Sequence, residues 1–560
     1  MQIRKIPPAA NSRPFPLLIR SILAYSLVLE PEREIVYRDK VRYNYFELNR
    51  RVRKLANVFK ELGLEGGETI GVMDYDSHRY LESYFAIPMT GNVLHTVNWR
   101  LSPAQILYTI NHAADSVLLV NADFFPILEK FAGEMPTVRK IIIMTDGQPA
   151  GPGGGVSGDA GTSAIGSDNV YEEYETLLAK ASDQYEFQDF DEDAVATTFY
   201  TTGTVGEPKG VYFTHRQLVL HTMSLASTLG FVAAAACRLT SDDVYMPLTP
   251  MFHVHAWGFP FLATLYSLKQ IYVGRLEPPM VAQLMAKEKP TISHCVPTIL
   301  QMVLKCPEAA SLDLSGWKVV VGGAALPKSL ARAALERGID IISGYGMSET
   351  CPLIATVRIR PEDKNRDIDW QVEARTRTGV PSAFVDLRLM REDGKDANAD
   401  DKEAGELLLQ APWLTQGYVN DPEKGSALWE GGYLHTGDVA TIDGNHILRI
   451  SDRIKDVIKS GGEWISSIDL ENRIGLHGAV AETAVVGMPD VKWGERPYAL
   501  IVVKPGGDLS VADIKDHIQQ YIDNGQISKW AMPEKIEFVG AIPKTSVGKI
   551  DKKKIRAGFK

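Results

Sequence analysis

The stretch Tyr200-Thr201-Thr202-Gly203-Thr204-Val205-Gly206-Glu207-Pro208-Lys209-Gly210 puts three threonines, three glycines and a lysine within eleven residues. Glycine reaches positive φ without steric cost, so successive backbone N–H groups can converge on an anion, while the threonine hydroxyls add donors and Lys209 adds charge. Such a run predicts a phosphate-holding loop, although a solvated Gly-Thr turn has the same composition. Ala194 to Tyr200 has the β-branched and aromatic character of a strand, and His215 to Leu229 has helical apolar spacing. The loop is therefore expected to join strand to helix. No Gly-Lys-Ser or Gly-Lys-Thr follows that would place a hydroxyl on magnesium, which argues against a P-loop kinase or GTPase.

Length and composition bound the alternatives. A chain of 560 residues exceeds what one hydrophobic core supports, so at least two domains are expected. With 45% hydrophobic and 23% charged residues, it reads as an ordinary globular protein. A net charge of -10 argues against nucleic acid as a partner and allows small acidic substrates wherever positive charge is local. Cys237, Cys295, Cys306 and Cys351 are widely spaced without a Cys-x-x-Cys pair, so neither zinc nor a disulfide framework is indicated, and a reducing cytoplasm fits. The amino terminus, with Pro7 and Pro8 after Arg4 and Lys5, lacks the apolar core of a secretory signal. No stretch approaches the ~18 apolar residues of a membrane span. Peripheral membrane contact through the apolar face of Pro16 to Leu29 competes with a packed first helix, which the residue types favour.

Along the chain, Leu48, Val52, Leu55, Phe59 and Leu62 mark an amphipathic helix stopped at Gly63, and Thr69 to Met73 reads as a buried strand. A helix starts at Ser102 with Pro103 in its first turn, and Val117 to Val120 and Lys140 to Met144 continue the alternation, which predicts an α/β region with parallel strands. Residues 147–169, rich in Gly, Ala and Ser, read as a flexible surface loop. From about Val380 to Ile450, short β-like runs between Gly and Asp turns predict a small β-barrel. The expected organisation is a large N-terminal domain of α/β layers plus that barrel over 1–450, a charged connector at 451–456, and a small α+β domain over 457–560.

Further segments carry chemistry in their residue types. Met246 to Trp257 is apolar but holds His253 and His255, with no third ligand for a metal. Lys318 to Gly323 is a buried strand ending in two glycines, which permit close backbone approach. Ser343-Gly344-Tyr345-Gly346-Met347-Ser348-Glu349-Thr350 combines a flat π surface with an anionic oxygen suited to a hard cation. Asp438, in Tyr433-Leu434-His435-Thr436-Gly437-Asp438, can accept two hydrogen bonds from vicinal hydroxyls. Lys549 stands on a glycine turn in Pro543-Lys544-Thr545-Ser546-Val547-Gly548-Lys549.

In this order, these motifs resemble the signatures of the adenylate-forming superfamily of acyl-CoA synthetases, peptide-synthetase adenylation domains and beetle luciferases. The first is usually written [ST]-[ST]-G-[ST]-[ST]-G-x-P-K-G, with Val205 replacing one hydroxyl. The resemblance implies a nucleotide site. Thr201, Thr202, Gly203, Thr204, Gly206 and Lys209 would cradle phosphates, Gly323, Ser343, Gly344 and Tyr345 would meet adenine, Ser348 the α-phosphate and Asp438 the ribose. Glu349 and Thr201 would hold Mg2+, with ATP and CoA as co-substrates. The D-R-x-K-D-x-I-K-x-G-G pattern at Asp452 to Gly462 implies a hinge at Lys455, with Arg453 near the ribose and Lys459 and Trp464 meeting the adenylate. Lys549 would be the adenylation lysine. His253, Val254, Trp257 and Gly323 would line the acyl pocket, with Trp257 as its gate.

The similarity is greatest to medium- and long-chain fatty acyl-CoA synthetases. It implies an acid:CoA ligase that forms AMP. Acetate-activating relatives carry a tryptophan where Gly346 stands, so a larger acid is implied, with an open pocket floor at Gly346. Aryl acids, a stand-alone adenylation enzyme acylating a carrier protein, and a non-catalytic acyl or nucleotide sensor are the alternatives; a sensor has no use for Lys549. A homodimer is compatible with the sequence.

Overall fold

The computed structural model describes residues 3–131, 133–146, 172–201, 207–231, 236–460, 463–545 and 549–558. The 147–169 segment and Thr202, Gly203, Thr204 and Gly206 lie outside the described residues.

The first α/β alternation builds a seven-stranded sheet in the order Glu172–Glu173, Lys140–Met144, Asp115–Asn121, Thr69–Met73, Val93–Thr96, Val195–Thr201 and Lys209–Thr214. Neighbours are parallel except the last pair. The helices start and stop where side-chain chemistry dictates. Asn44 caps Tyr45–Glu61 by accepting from Glu47 N, and Ser102 and Gln105 form a reciprocal capping box ahead of Pro103–Ala113. The phosphate-loop segment differs from expectation. It links two antiparallel strands, because Gly210-Val211-Tyr212-Phe213 alternates as a strand before Thr214 caps the helix His215–Ala226.

A nine-stranded sheet runs Val380–Pro381, Leu353–Thr356, Asp340–Gly346, Lys318–Val321, Ile292–Cys295, Val244–Tyr245, Lys269–Tyr272, Glu34–Tyr37 and Val41–Asn44. It is parallel from Asp340–Gly346 to Glu34–Tyr37 and antiparallel at both edges. The helix His78–Met89, buried at all twelve positions, packs in the core, where Tyr84 stacks on Phe261 at 5.4 Å. A helix buried all round has no polar face to spare.

The small barrel expected after Val380 is an open four-stranded antiparallel sheet, Asp386–Met390, Gly405–Gln410, Leu434–Ile442 and Leu448–Arg453. Its first and last strands do not pair, since so few strands cannot close around a core. Leu448 instead bridges Gly379, beside the edge strand of the nine-stranded sheet, so the fold itself covers part of that edge. Beyond Ile458 a separate sheet pairs Val480–Asp490 with Gly494–Val503 over its own core of Ile458, Leu470, Ile474, Ile501, Ile514 and Ile518.

All four cysteines are buried and free. Among the described residues no helix is long and apolar enough to cross a membrane. The helix Arg20–Leu29 buries Ile22 and Leu23 while Tyr25 and Val28 stay exposed.

Candidate active site

Lys549 Nζ stands on a chain far from the phosphate loop in sequence, yet its side chain reaches the end of the strand Lys318–Val321: a Cβ placed on Gly323 would lie 3.3 Å from Lys549 Cε. Gly323 has φ +76°, so the strand exit needs glycine both for conformation and for that approach. Burial first and then the Arg453 guanidinium push the Lys549 ammonium down to about 8, with the Asp438 and Glu349 carboxylates acting against both. Four charged groups expected in one nucleotide site therefore share one electrostatic environment.

Asp438 pairs across two antiparallel strands with Arg453, whose Nε lies 3.2 Å from its carboxylate. Tyr345 donates its hydroxyl to the other oxygen of Asp438. Burial raises the pKa of Asp438, against the pull of Arg453 and the tyrosine hydroxyl. Tyr345 thus enters the site fixed at its phenolic end, with its ring at the end of the strand Asp340–Gly346. The Ser343 hydroxyl is buried without a hydrogen-bond partner among the described residues, and a Cβ on Gly344 would come within 2.7 Å of the Leu353 side chain.

Glu349 is buried in the turn Ser348–Thr350, where its Oε1 accepts the Tyr418 hydroxyl at 2.8 Å. Lys209 Nζ stands 4.7 Å from the centre of the same Tyr418 ring. Thr201 ends the strand before the phosphate loop and pairs in register with Lys209 after it. Tyr418 was not singled out in the sequence. Its only local signal is a Gly-Tyr pair ahead of the Pro422-led helix, which by itself looks like a turn.

The acyl side centres on residues 250–258. Val254, His255, Ala256 and Trp257 have φ between +46° and +60°, and Gly258 +75°, a turn of left-handed helix. That conformation costs about 1–2 kcal/mol per L-residue, so it persists only where packing imposes it. Three buried groups hold the chain just before it: Asp76 accepts from Met251 N at 2.7 Å, Tyr84 donates to Met251 O, and Thr96 donates to Phe252 O at 2.9 Å. The Trp257 indole lies against the glycines at 322 and 323 and 5.2 Å from the His294 ring.

His253 borders a cavity of about 50 Å³ walled by Tyr75, Trp99, Leu248, Pro250, Val296 and Ile299, with Asp76 and Arg100 as its charged groups. Burial, then Lys549 and Arg100, push the His253 imidazole down to about 3, so it is neutral at physiological pH. Gly346 is not part of that cavity wall. A Cβ there would sit 1.8 Å from the Pro352 carbonyl oxygen, so this glycine is required by two backbones in close approach. The position a first side-chain carbon would take at Gly346 is thus filled by Pro352, which counts against the open pocket floor expected there.

Of three further expected residues, Lys455 shares charge interactions with Arg453 and Asp438. Lys455 is exposed in the turn after Arg453, its ammonium lowered chiefly by desolvation. Lys459 pairs with Glu392 at 3.6 Å. Of Trp464 only the backbone is described, in the strand Glu463–Ile465.

Residues 26–419 match the AMP-binding enzyme family and residues 469–549 match the AMP-binding enzyme C-terminal domain. A long-chain-fatty-acid–CoA ligase of Thermus thermophilus is 37% identical over 93% of this chain and 90% of its own. A 3-methylmercaptopropionyl-CoA ligase of Ruegeria lacuscaerulensis is 34% identical over 97% of this chain and 98% of its own. The crystal structure of the anthranilate CoA ligase AuaEII with anthranoyl-AMP superposes with a TM-score of 0.82 at 25% identity, covering 98% of both chains. The fold and site define an adenylate-forming ligase, and the chain belongs to the AMP-binding enzyme family.

Proposed function

We propose that this acyl-CoA ligase of the adenylate-forming class activates a medium- or long-chain fatty acid. The acid's carboxylate oxygen attacks the α-phosphorus of ATP and pyrophosphate leaves; the CoA thiol then attacks the acyl carbon, loses its proton, and AMP leaves. The observation that carries the fatty-acid reading is the cavity beside His253, whose walls are mainly apolar side chains and aromatic rings.

In this reading the Lys549 ammonium bridges two anions, carboxylate and α-phosphate, that would otherwise repel. Neutral His253 offers hydrogen bonding beside the carboxylate without adding a second cation. Asp438 accepts the ribose hydroxyls, Tyr345 stacks on adenine, and Ser348 with the 202–206 loop holds phosphate oxygens. Glu349 and Thr201 supply the hard oxygen donors that suit Mg2+, and among the described residues no group of three His, Cys, Asp or Glu forms a preassembled metal site. That donor set fits an ion that arrives on substrate phosphates, where it neutralises their charge. The 451–456 connector is read as a hinge about Lys455 between a domain ending near 450 and one beginning near 457. Turning about it would exchange Lys549 for Lys459 and Trp464.

An aryl acid is the second reading, favoured by the Tyr75 and Trp99 rings in the same cavity. Purified protein is given acetate, octanoate, palmitate and benzoate with ATP and CoA, and AMP release is measured. Octanoate or palmitate should give the highest kcat/KM; a maximum at benzoate replaces the fatty-acid reading, and AMP formed only with a carrier protein replaces CoA.

A further inference from the structure

Residues 413–419 run as a strap between the two segments assigned to ATP. At one end, Trp413 Nε1 donates to Thr350 O at 3.1 Å and Thr415 N donates to Glu349 O at 3.1 Å, fixing the backbone of the turn that carries Glu349. At the other end, Val419 N donates to Gly210 O at 2.8 Å, and Tyr418 bridges Val211, fixing the first residues after the phosphate loop. A Cβ on Gly210 would lie 3.1 Å from Val419 Cβ, so the strap runs tight against the chain there. Between these anchors, one side chain touches both functional groups. Tyr418 donates its hydroxyl to Glu349 Oε1 at 2.8 Å, and its ring lies 4.7 Å from Lys209 Nζ.

The physical consequence differs for the two groups. A glutamate has three side-chain torsions, and a buried carboxylate without a donor carries a large desolvation cost, so a fixed hydroxyl on one oxygen selects one rotamer. Donors to a ligating carboxylate orient it toward a cation. For Lys209 the ring face offers a cation–π contact, which steadies a flexible ammonium without neutralising it. We infer that Tyr418 is a positioning residue that couples the phosphate lysine to the magnesium carboxylate, so that ATP and its metal are bound as one unit. The inference rests on the nucleotide roles given above to Lys209 and Glu349.

Binding separates the two contacts without turnover. ATP affinity is measured by titration calorimetry with no acid or CoA present, over a series of magnesium concentrations, for the wild type, Tyr418→Phe and Tyr418→Leu. Tyr418→Phe keeps the ring and loses the hydroxyl; it should raise the magnesium concentration for half-maximal ATP binding about tenfold, as for a hydrogen bond to a charged group, and leave magnesium-free ATP affinity unchanged. Tyr418→Leu should weaken both. A Tyr418→Phe protein with the wild-type magnesium dependence overturns the inference, as does one whose magnesium-free affinity falls by the same factor together with its Tm. If the wild type binds no ATP, or binds it indifferently to magnesium, the nucleotide reading fails and not the role of Tyr418 within it.

Discussion

The lowered pKa of Lys549 makes a pH prediction. In the free protein its ammonium is held at about 8, chiefly by burial and then by Arg453. A group with that pKa is about nine-tenths charged at pH 7 and about one-tenth charged at pH 9. If adenylation requires the cation, kcat/KM for ATP in pyrophosphate exchange falls about tenfold over that interval and continues down as pH rises. The sign follows from the lysine: charge, and with it activity, is present below pH 8 and lost above it. Because kcat/KM reports the free enzyme, the ATP phosphates, which would raise this pKa when bound, do not mask the limb. Lys549→Arg, with a guanidinium that does not titrate in this range, should flatten the profile at reduced activity. Arg453→Gln removes a neighbouring positive charge and should move the limb to higher pH. Thioester formation from supplied acyl-AMP should lack it. A limb near pH 8 that survives in Lys549→Arg refutes the assignment.

Lys549→Ala should slow adenylation by about 100–1,000-fold and spare the thioester half-reaction, which single-turnover measurement of each step separates. Glu349→Gln should raise the magnesium requirement of exchange while leaving acid binding unchanged; superimposable metal titrations would remove Glu349 from the metal. Lys455→Pro, which fixes φ in the turn after Arg453, should let acyl-AMP accumulate, and wild-type rates for both steps would place the pivot elsewhere. Gly346→Ala should destabilise the fold by about 1–3 kcal/mol through overlap with Pro352 and depress all acids alike; a selective loss of palmitate over acetate in a fully stable protein would restore Gly346 as a pocket floor. Trp257→Ala should flatten the ranking of acetate, octanoate and palmitate, and an unchanged ranking means Trp257 is no gate.

Local sequence was enough wherever the deciding interaction lies within one turn or one strand. Thr69–Met73 and Lys140–Met144 are strands with the predicted bounds, and Ser102 with Gln105 starts its helix, because alternation and capping depend on neighbours a few residues away. The motif order likewise marked Lys549, Glu349 and Asp438 as members of one site. What they touch was decided elsewhere. Tyr345 and Asp438 meet across a sequence separation of 93, and Glu349 and Tyr418 across one of 69, in registers no local pattern encodes. Gly346 illustrates the same limit from the other side: as a letter it means a missing side chain, which reads as room, and only the backbone of Pro352 against it turns the missing side chain into close packing. The left-handed turn at Val254–Gly258 is a third case, since four of its five residues resist that conformation and contacts from Asp76, Tyr84 and Thr96, set in an earlier part of the chain, hold the approach to it. Propensity is a sum over near neighbours, whereas close approach, charge pairing and imposed strain depend on which distant segments the packed sheets bring together.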